Sequence, residues 1–419
     1  MGRPTRLATG FESSLTASVR RAGGPSGEGS PIAAPWITAY SVGNALGTEA
    51  REVARALDAG ASGLRPCRLP LPFETMAGHF PDVLEPVPAA FAARDSRIVR
   101  MAFAVLDGIA AAVERAIRRY GKDRVAIVLG TSTGGIFDTE AALEAHASAG
   151  ALPERWSLEK THAFHAMLDA VQLRTGARGP AYVLSTACSS SGKVLGSARR
   201  ILAAGLADAV LTGGIDTLCQ MTLRGFKSLE ILSSRACRPF SAGRDGLSLG
   251  EGGAFLLLER EGEGPARLLG VGETSDAHHM SHPHPEGRGA KAAMIEALRQ
   301  AGLPAEAVDH VNAHGTGTPA NDLVEARAIA EVIGPQVAVA STKGYTGHLL
   351  GAAGATEAVL AILAMEQGRI PASLGAAPLD PGITIDVCHM PRQRACRVVL
   401  SNSFAFGGSN VSVLLGRAS

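Results

Sequence analysis

The sequence predicts an α/β fold with more than one core, and three observations carry that reading. Its 419 residues exceed the roughly 250 to 300 at which a single hydrophobic core stops growing. From Pro31 onward strand-like and helix-like segments alternate, the rhythm of helices packed on sheet faces. After Glu259 the same rhythm restarts, dividing the chain into halves of residues 31–260 and 261–419 with no repeat at the level of sequence.

In chain order, Asp95 or Ser96 caps a helix whose apolar positions Ile98, Met101, Val105, Ile109, Val113 and Ile117 keep to one face until Gly121 stops it. Val125 to Leu129 is the next strand. AYVLSTAC, ending at Cys188, is expected as a buried strand, and Ser189 to Ala204 as a helix ended by Gly205, before the strand DAVLTGG. Past Glu259 come strand-like ARLLGVGE, a helix around Lys291 to Gln300, strand-like VDHVNAH, a helix from Asn321 to Ile333 and strand-like VAVAST. A long helix with glycines and alanines starts near Leu349, and VVLSNSF supplies the last strand.

Composition narrows the function. Hydrophobic residues at 46% and charged residues at 19% exclude disorder over most of the chain. A balance of 40 Lys+Arg against 39 Asp+Glu leaves no whole-molecule field for nucleic acid or an anionic membrane. The six cysteines show no CxxC or CxxH spacing, which fits a reducing cytoplasm rather than a zinc site or disulfide scaffold. No apolar run is long enough for a secretory signal or a transmembrane span. Residues 1–30, with four arginines and six glycines, read as a flexible extension.

Four segments carry the chemistry, each at the C-terminal end of an expected strand, where α/β sheets collect ligands. They are STACSSSG around Cys188, NAHGTGTPAND around His314, STKGYTGHLLGAAG with Lys343 and His348, and SNSFAFGGSN around Phe406. In a strand-to-helix turn, Cys188 would meet a helix N-terminus that favours thiolate. A lone cysteine more often packs a core; two strand-end histidines shift the balance toward a nucleophile. Two imidazoles donating toward one carbonyl would stabilise an enolate, as decarboxylation of a malonyl thioester requires. Lys343 would bias nearby ionisations by its charge, and Thr316 and Thr318 offer hydroxyls to an amide-containing chain.

In this order and spacing, over roughly residues 31 to 415, the four segments resemble the elongating β-ketoacyl-acyl-carrier-protein synthases of the thiolase superfamily. The resemblance implies a thiolase-like fold, two pseudo-duplicated α/β halves in a five-layered αβαβα core. It also implies a Cys-His-His site. Cys188 would take the acyl chain as a thioester, and His314 with His348 would assist decarboxylation of the malonyl carrier substrate. Lys343 matches the family's site lysine and Glu357 its structural carboxylate; the N–H groups of Cys188 and Phe406 match its oxyanion hole. Phe406 looks like the gating side chain, Thr316 and Thr318 like the pantetheine contacts, and Thr133 and Phe404 like acyl-site residues. Thiolases place a second cysteine where this chain has Ser403 to Phe406, initiating synthases carry Asn where it has His348, and chain-length factors lack the nucleophile. The implied reaction is fatty acid elongation in a homodimer or close heterodimer, with acyl carrier protein as partner and no cofactor. A type II polyketide or aryl-polyene pathway is the rival, because Tyr345, Ser191 and Ala405 depart from the housekeeping pattern. A non-catalytic scaffold subunit is the rival outside enzymes.

Two further departures from the family pattern are visible. Glu230 stands where the family presents a basic residue to the acidic carrier, so Arg224 and Lys227, about a turn earlier, are the expected docking residues. Ala405 replaces a usual glycine and is expected to stiffen the gate loop. The stretch DAHHMSHPHPEG, with His278, His279, His282 and His284, is read as a loop bordering the substrate tunnel rather than a metal site, since two prolines interrupt it.

Overall fold

The computed structural model describes residues 34–81 and 84–418, so the N-terminal extension expected over residues 1–30 lies outside the described residues. An eleven-stranded sheet runs in the order Asp386–Val387, Ala338–Ala340, His310–Asn312, Val398–Ala405, Ser409–Arg417, Ala266–Ser275, Trp36–Gly43, Gly252–Glu259, Ala209–Asp216, Val125–Gly130, Ala181–Leu184. Within this sheet, strands up to Glu259 lie on one side and those from Ala266 on the other. The sides meet at the antiparallel pairs Trp36–Arg267 and Ile37–Ala266. The outer strands of each side run parallel, so within each side their C-terminal ends share one edge.

Helices Ser190–Ala203 and Ala353–Gln367 pack on each other and on strands of both sides, forming the middle layer. Arg97–Asp107, Ala110–Tyr120 and Phe164–Thr175 cover the outer face of the first side, and Arg288–Ala301 covers that of the second. The result is αβαβα. Ala353–Gln367 is buried at every position from Ala353 to Met365, as expected of a helix that is apolar all round. Where the two middle helices cross, a Cβ added to Gly354 would lie 2.5 Å from the backbone nitrogen of Gly192. The two backbones therefore touch, and only glycine fits.

Three expectations are corrected. The helix expected from residue 97 to Gly121 is two helices, because Ile109 leaves helical geometry (φ −123°, ψ −6°) just after Gly108, where the chain closes on the Ser41 side chain. Ser96 sits at the first helix's N-cap without a side-chain capping bond, its hydroxyl donating to the Arg94 carbonyl at 3.5 Å; Asp138 Oδ2 accepts the Arg97 N–H instead, at 2.9 Å. AYVLSTAC is regular only over Ala181–Leu184 and forms the sheet's edge, with Tyr182 37% exposed rather than buried. No helix among the described residues is long and apolar enough to cross a membrane.

Candidate active site

Beyond Leu184 the chain turns sharply into the Ser190–Ala203 helix, and Ala187 takes a left-handed conformation at φ +51°, costly for a residue with a Cβ. Small hydroxyls hold the turn. Thr186 N–H donates to Ser190 Oγ at 2.9 Å, Ser190 Oγ donates to the Ala187 carbonyl at 2.6 Å, and Ser189 Oγ donates to the Thr186 carbonyl at 2.8 Å. The turn aims Cys188 into a cavity of about 340 Å³. The backbone N–H groups of Cys188 and Phe406 lie close enough to the sulfur to favour its charged form. Burial nevertheless pushes the thiol up to about 12, against the pull of the Lys343 charge and those two N–H groups. The thiolate expected from the helix N-terminus is thus overridden by desolvation, and the resting group is a neutral thiol.

His314 and His348 face the same cavity with ring centroids 5.2 Å apart and edges crossed at 86°. Buried carboxylates fix the loop carrying His314. Glu325 accepts the N–H groups of His314 and Gly315, each at 2.7 Å, and Asp322 accepts that of Gly317 at 3.2 Å. Ser341 Oγ donates to the Gly315 carbonyl at 2.7 Å. His348 is held by its backbone, donating to the Ser248 carbonyl at 2.7 Å and accepting from Gly250 N–H at 3.0 Å. Burial and the Lys343 charge hold both imidazoles well below the usual histidine range. They are neutral near pH 7 and can donate from one ring nitrogen toward a carbonyl oxygen. Lys343 Nζ pairs with Glu357 Oε1 at 2.5 Å, both side chains buried, and burial raises the Glu357 carboxyl.

The cavity brings together Cys188, His314, His348, Thr316, Thr318, Phe404 and Phe406 from the expected set. Lys343 and Glu357 lie outside its lining and act on it through charge. Thr133 does not line it either. Its hydroxyl donates to Asp216 Oδ1 at 2.6 Å, beside Thr131 Oγ1 at 2.6 Å and the Ser132, Thr133 and Ala352 N–H groups. A buried carboxylate stripped of one of these donors would be costly, so the Thr133 hydroxyl is committed to Asp216. Ala405 adopts extended backbone (φ −103°), and Gly407 and Gly408 supply the positive φ of the turn. Arg224 and Lys227 are exposed on helix Gln220–Ser228, while Phe226 of the same helix faces the cavity and packs on Phe406 at 5.6 Å. The His-rich loop borders the cavity through Asp276, Ser281, His282 and Pro283. Among the described residues no group of three or more ligating side chains is arranged around a metal position.

Sequence reading missed the supporting carboxylates Asp216, Asp322 and Glu325. Asp322 and Glu325 had a signal: they fall three residues apart on the helix following the GTGT loop, which puts both on one face.

Residues 37–263 match the family described as Beta-ketoacyl synthase, N-terminal domain, and residues 265–377 its C-terminal domain. The chain is 40% identical over 268 residues to the mitochondrial 3-oxoacyl-acyl-carrier-protein synthase of Arabidopsis thaliana, covering 58% of each chain. It is 37% identical over 299 residues to nodulation protein E of Rhizobium meliloti, covering 68% of this chain and 74% of that one. It spans less than two thirds of the length of the 3-oxoacyl synthases it matches. Among solved structures it is similar to a ketosynthase from Xenorhabdus doucetiae in complex with its chain length factor, with TM-score 0.87 and 37% identity over 92% of this chain and 98% of that chain. It is also similar to a beta-ketoacyl synthase from Burkholderia phymatum, with TM-score 0.83 and 29% identity over 92% of this chain and all (100%) of that one.

Proposed function

The chain belongs to the beta-ketoacyl synthase family, and from that premise we propose that it extends acyl chains by decarboxylative condensation with a malonyl thioester on acyl carrier protein. The observation that carries this reading is the Cys188 sulfur beneath two backbone N–H groups in a cavity shared with two neutral imidazoles. In the first step the sulfur attacks the acyl thioester carbonyl, whose oxygen takes the N–H groups of Cys188 and Phe406 as donors. The S–C bond to the carrier arm breaks, and the thiol proton leaves with the carrier sulfur. In the second step His314 and His348 donate to the malonyl thioester oxygen as the carboxylate departs as carbon dioxide. The resulting enolate attacks the Cys188 thioester, a C–C bond forms, and the released Cys188 sulfur takes up a proton. Because burial holds that thiol up to about 12, reprotonation favours product. Thr316 and Thr318 would hold the pantetheine amides, and Phe404 and Phe406 would border the acyl path. No step as written needs a metal or redox cofactor.

The two halves 31–260 and 261–419 are proposed to descend from one duplicated unit, and the protein to work in the cytoplasm. The exposed edge strand Ala181–Leu184 offers unpaired backbone groups to a second subunit, a second copy or a homologous one. Arg224 and Lys227 are proposed to receive the acidic carrier. Fatty acid elongation is the primary reading. A polyketide-type pathway with a homologous partner subunit is the second, favoured by the likeness to a ketosynthase solved with its chain length factor. Intact mass after incubation with an acyl carrier-protein thioester tests the chemistry: an acyl adduct is expected on the wild type and not on Cys188→Ala, and no adduct on the wild type would sink the enzyme reading.

A further inference from the structure

We propose that Asp216 is a positioning residue for the condensation step: from the first side of the molecule it caps the helix Ala353–Gln367 of the second, and so fixes the turn between His348 and Glu357. This rests on the reading above for its effect on turnover, and on hydrogen bonds alone for the cap. The helix cannot cap itself, since its N-cap residue is Ala352, which has no side-chain oxygen to accept the free N–H groups of the first turn. Residues of the first side accept them instead. Ala352 N–H donates to Asp216 Oδ2 at 3.1 Å, Gly351 N–H to Ser132 Oγ at 3.1 Å and Ala355 N–H to Ser191 Oγ at 2.9 Å. Ser132 Oγ in turn donates to Asp216 Oδ2 at 3.0 Å, so the Gly351 bond also leads to the carboxylate. A Cβ added to Gly351 would lie 2.7 Å from Asp216 Oδ2, so the turn closes directly on that oxygen.

Asp216 ends the strand Ala209–Asp216 and is fully buried. The hydroxyls of Thr131, Ser132 and Thr133 each already accept a backbone N–H, from Gly134, Gly351 and Thr217, and turn their hydrogens to Asp216. Burial raises the carboxyl, yet two oxygens faced only by donors are those of a carboxylate rather than of an acid. A negative charge at that place also suits the positive end of the helix. The turn it holds is strained: Leu350 takes a left-handed φ of +52°, a conformation that persists only where the surroundings impose it. His348 stands just before Leu350 and its neighbour Leu349, and Glu357, the partner of Lys343, lies in the second turn of the helix. Without the carboxylate Leu350 can relax, and both residues move with it. The turn that places Cys188 is closed by its own hydroxyl bonds.

The test is hydrogen exchange of the peptide spanning 348–358, with the outer helix 164–175 as reference, alongside single-turnover acylation of Cys188 and steady-state condensation with a malonyl carrier substrate. Asp216→Asn keeps the shape but turns an amide N–H2 toward the donors. Protection over 348–358 should fall about tenfold, as for one buried donor left unpaired, with 164–175 unchanged. The condensation kcat should fall about tenfold or more, while KM for the malonyl substrate stays within about twofold. Acylation should not slow, because the one effect of the Asp216 charge on Cys188 is to raise its thiol. Ser132→Ala withdraws the Gly351 acceptor and one donor to Asp216; it should move the same readouts in the same direction by less, and it carries the test if Asp216→Asn does not fold. Unchanged protection over 348–358 in these variants, or acylation that falls in step with condensation, would overturn the proposal. Lost protection in the variants of a protein whose wild type never condenses would overturn the proposed function and leave the cap standing.

Discussion

Around Cys188 the supporting groups are neutral: three hydroxyl bonds and one strained alanine hold a turn whose sulfur is an uncharged thiol at rest. Around His314 they are acidic: Glu325 and Asp322 grip the backbone, and the Lys343–Glu357 pair polarises the region. Cys188, the proposed nucleophile, is placed by chain geometry, and His314, its proposed partner, by buried acidic groups. Substitutions on the first side should therefore act through shape, and those on the second through ionisation and pH.

The largest break in that contrast is His314→Ala. It should cut condensation by about 10²- to 10⁴-fold while leaving burst acylation of Cys188 within a few fold, because the acyl-transfer donors are backbone groups of Cys188 and Phe406. Equal loss of both steps in single-turnover assays would erase the division. Lys343→Met abandons Glu357 in the interior and should cost about 3 to 5 kcal/mol of stability, read by urea denaturation. The double change Lys343→Met with Glu357→Leu should recover most of it, whereas no recovery would show that the pair is not the source.

Glu325 gives the third test. Burial holds its carboxyl at about 7 in the fold despite the His314 and Gly315 N–H groups, against about 4.3 in an unfolded chain. Between those values the folded protein binds a proton that the unfolded chain has released. Its contribution to stability is greatest below about pH 4.3 and falls as pH rises to about 7, by up to roughly 4 kcal/mol. Glu325→Gln should remove that slope from denaturation midpoints measured at pH 5 and 8, and an unchanged slope would contradict the assignment. The smallest effect belongs to the surface. Arg224→Glu with Lys227→Glu should raise KM for carrier-bound substrate several-fold at low salt and much less at 0.5 M, as exposed charges do, with kcat unchanged.

That Cys188, His314, His348 and Phe406 share one cavity was legible because each sits among small or glycine residues near a strand end, a pattern that core packing does not require. The α/β class followed from the alternation of strand and helix segments, whereas the αβαβα layering was what the family resemblance implied. What could not be read was set by contacts distant in sequence. Thr133 is claimed by Asp216, 83 residues away, and the Arg97 helix takes its N-terminal acceptor from Asp138, 41 residues away. The exposure of Tyr182 depends on which strand ends the sheet, which local periodicity does not encode. The state of Cys188 was misread for a related reason: helix-terminus attraction is local and visible in sequence, whereas desolvation by the whole cavity is not.

The crossing of Gly192 and Gly354 has a consequence for how this site can vary. One helix begins two residues after the nucleophile and the other carries Glu357. They touch backbone to backbone, so the spacing between the helix that follows Cys188 and the helix that carries Glu357 is a main-chain dimension. Rotamer changes or repacked leucines leave that spacing alone. Tuning of substrate size is then left to the outer wall of the cavity, at Phe226, Leu229 and Ile231, where side chains can be exchanged without moving the chemistry.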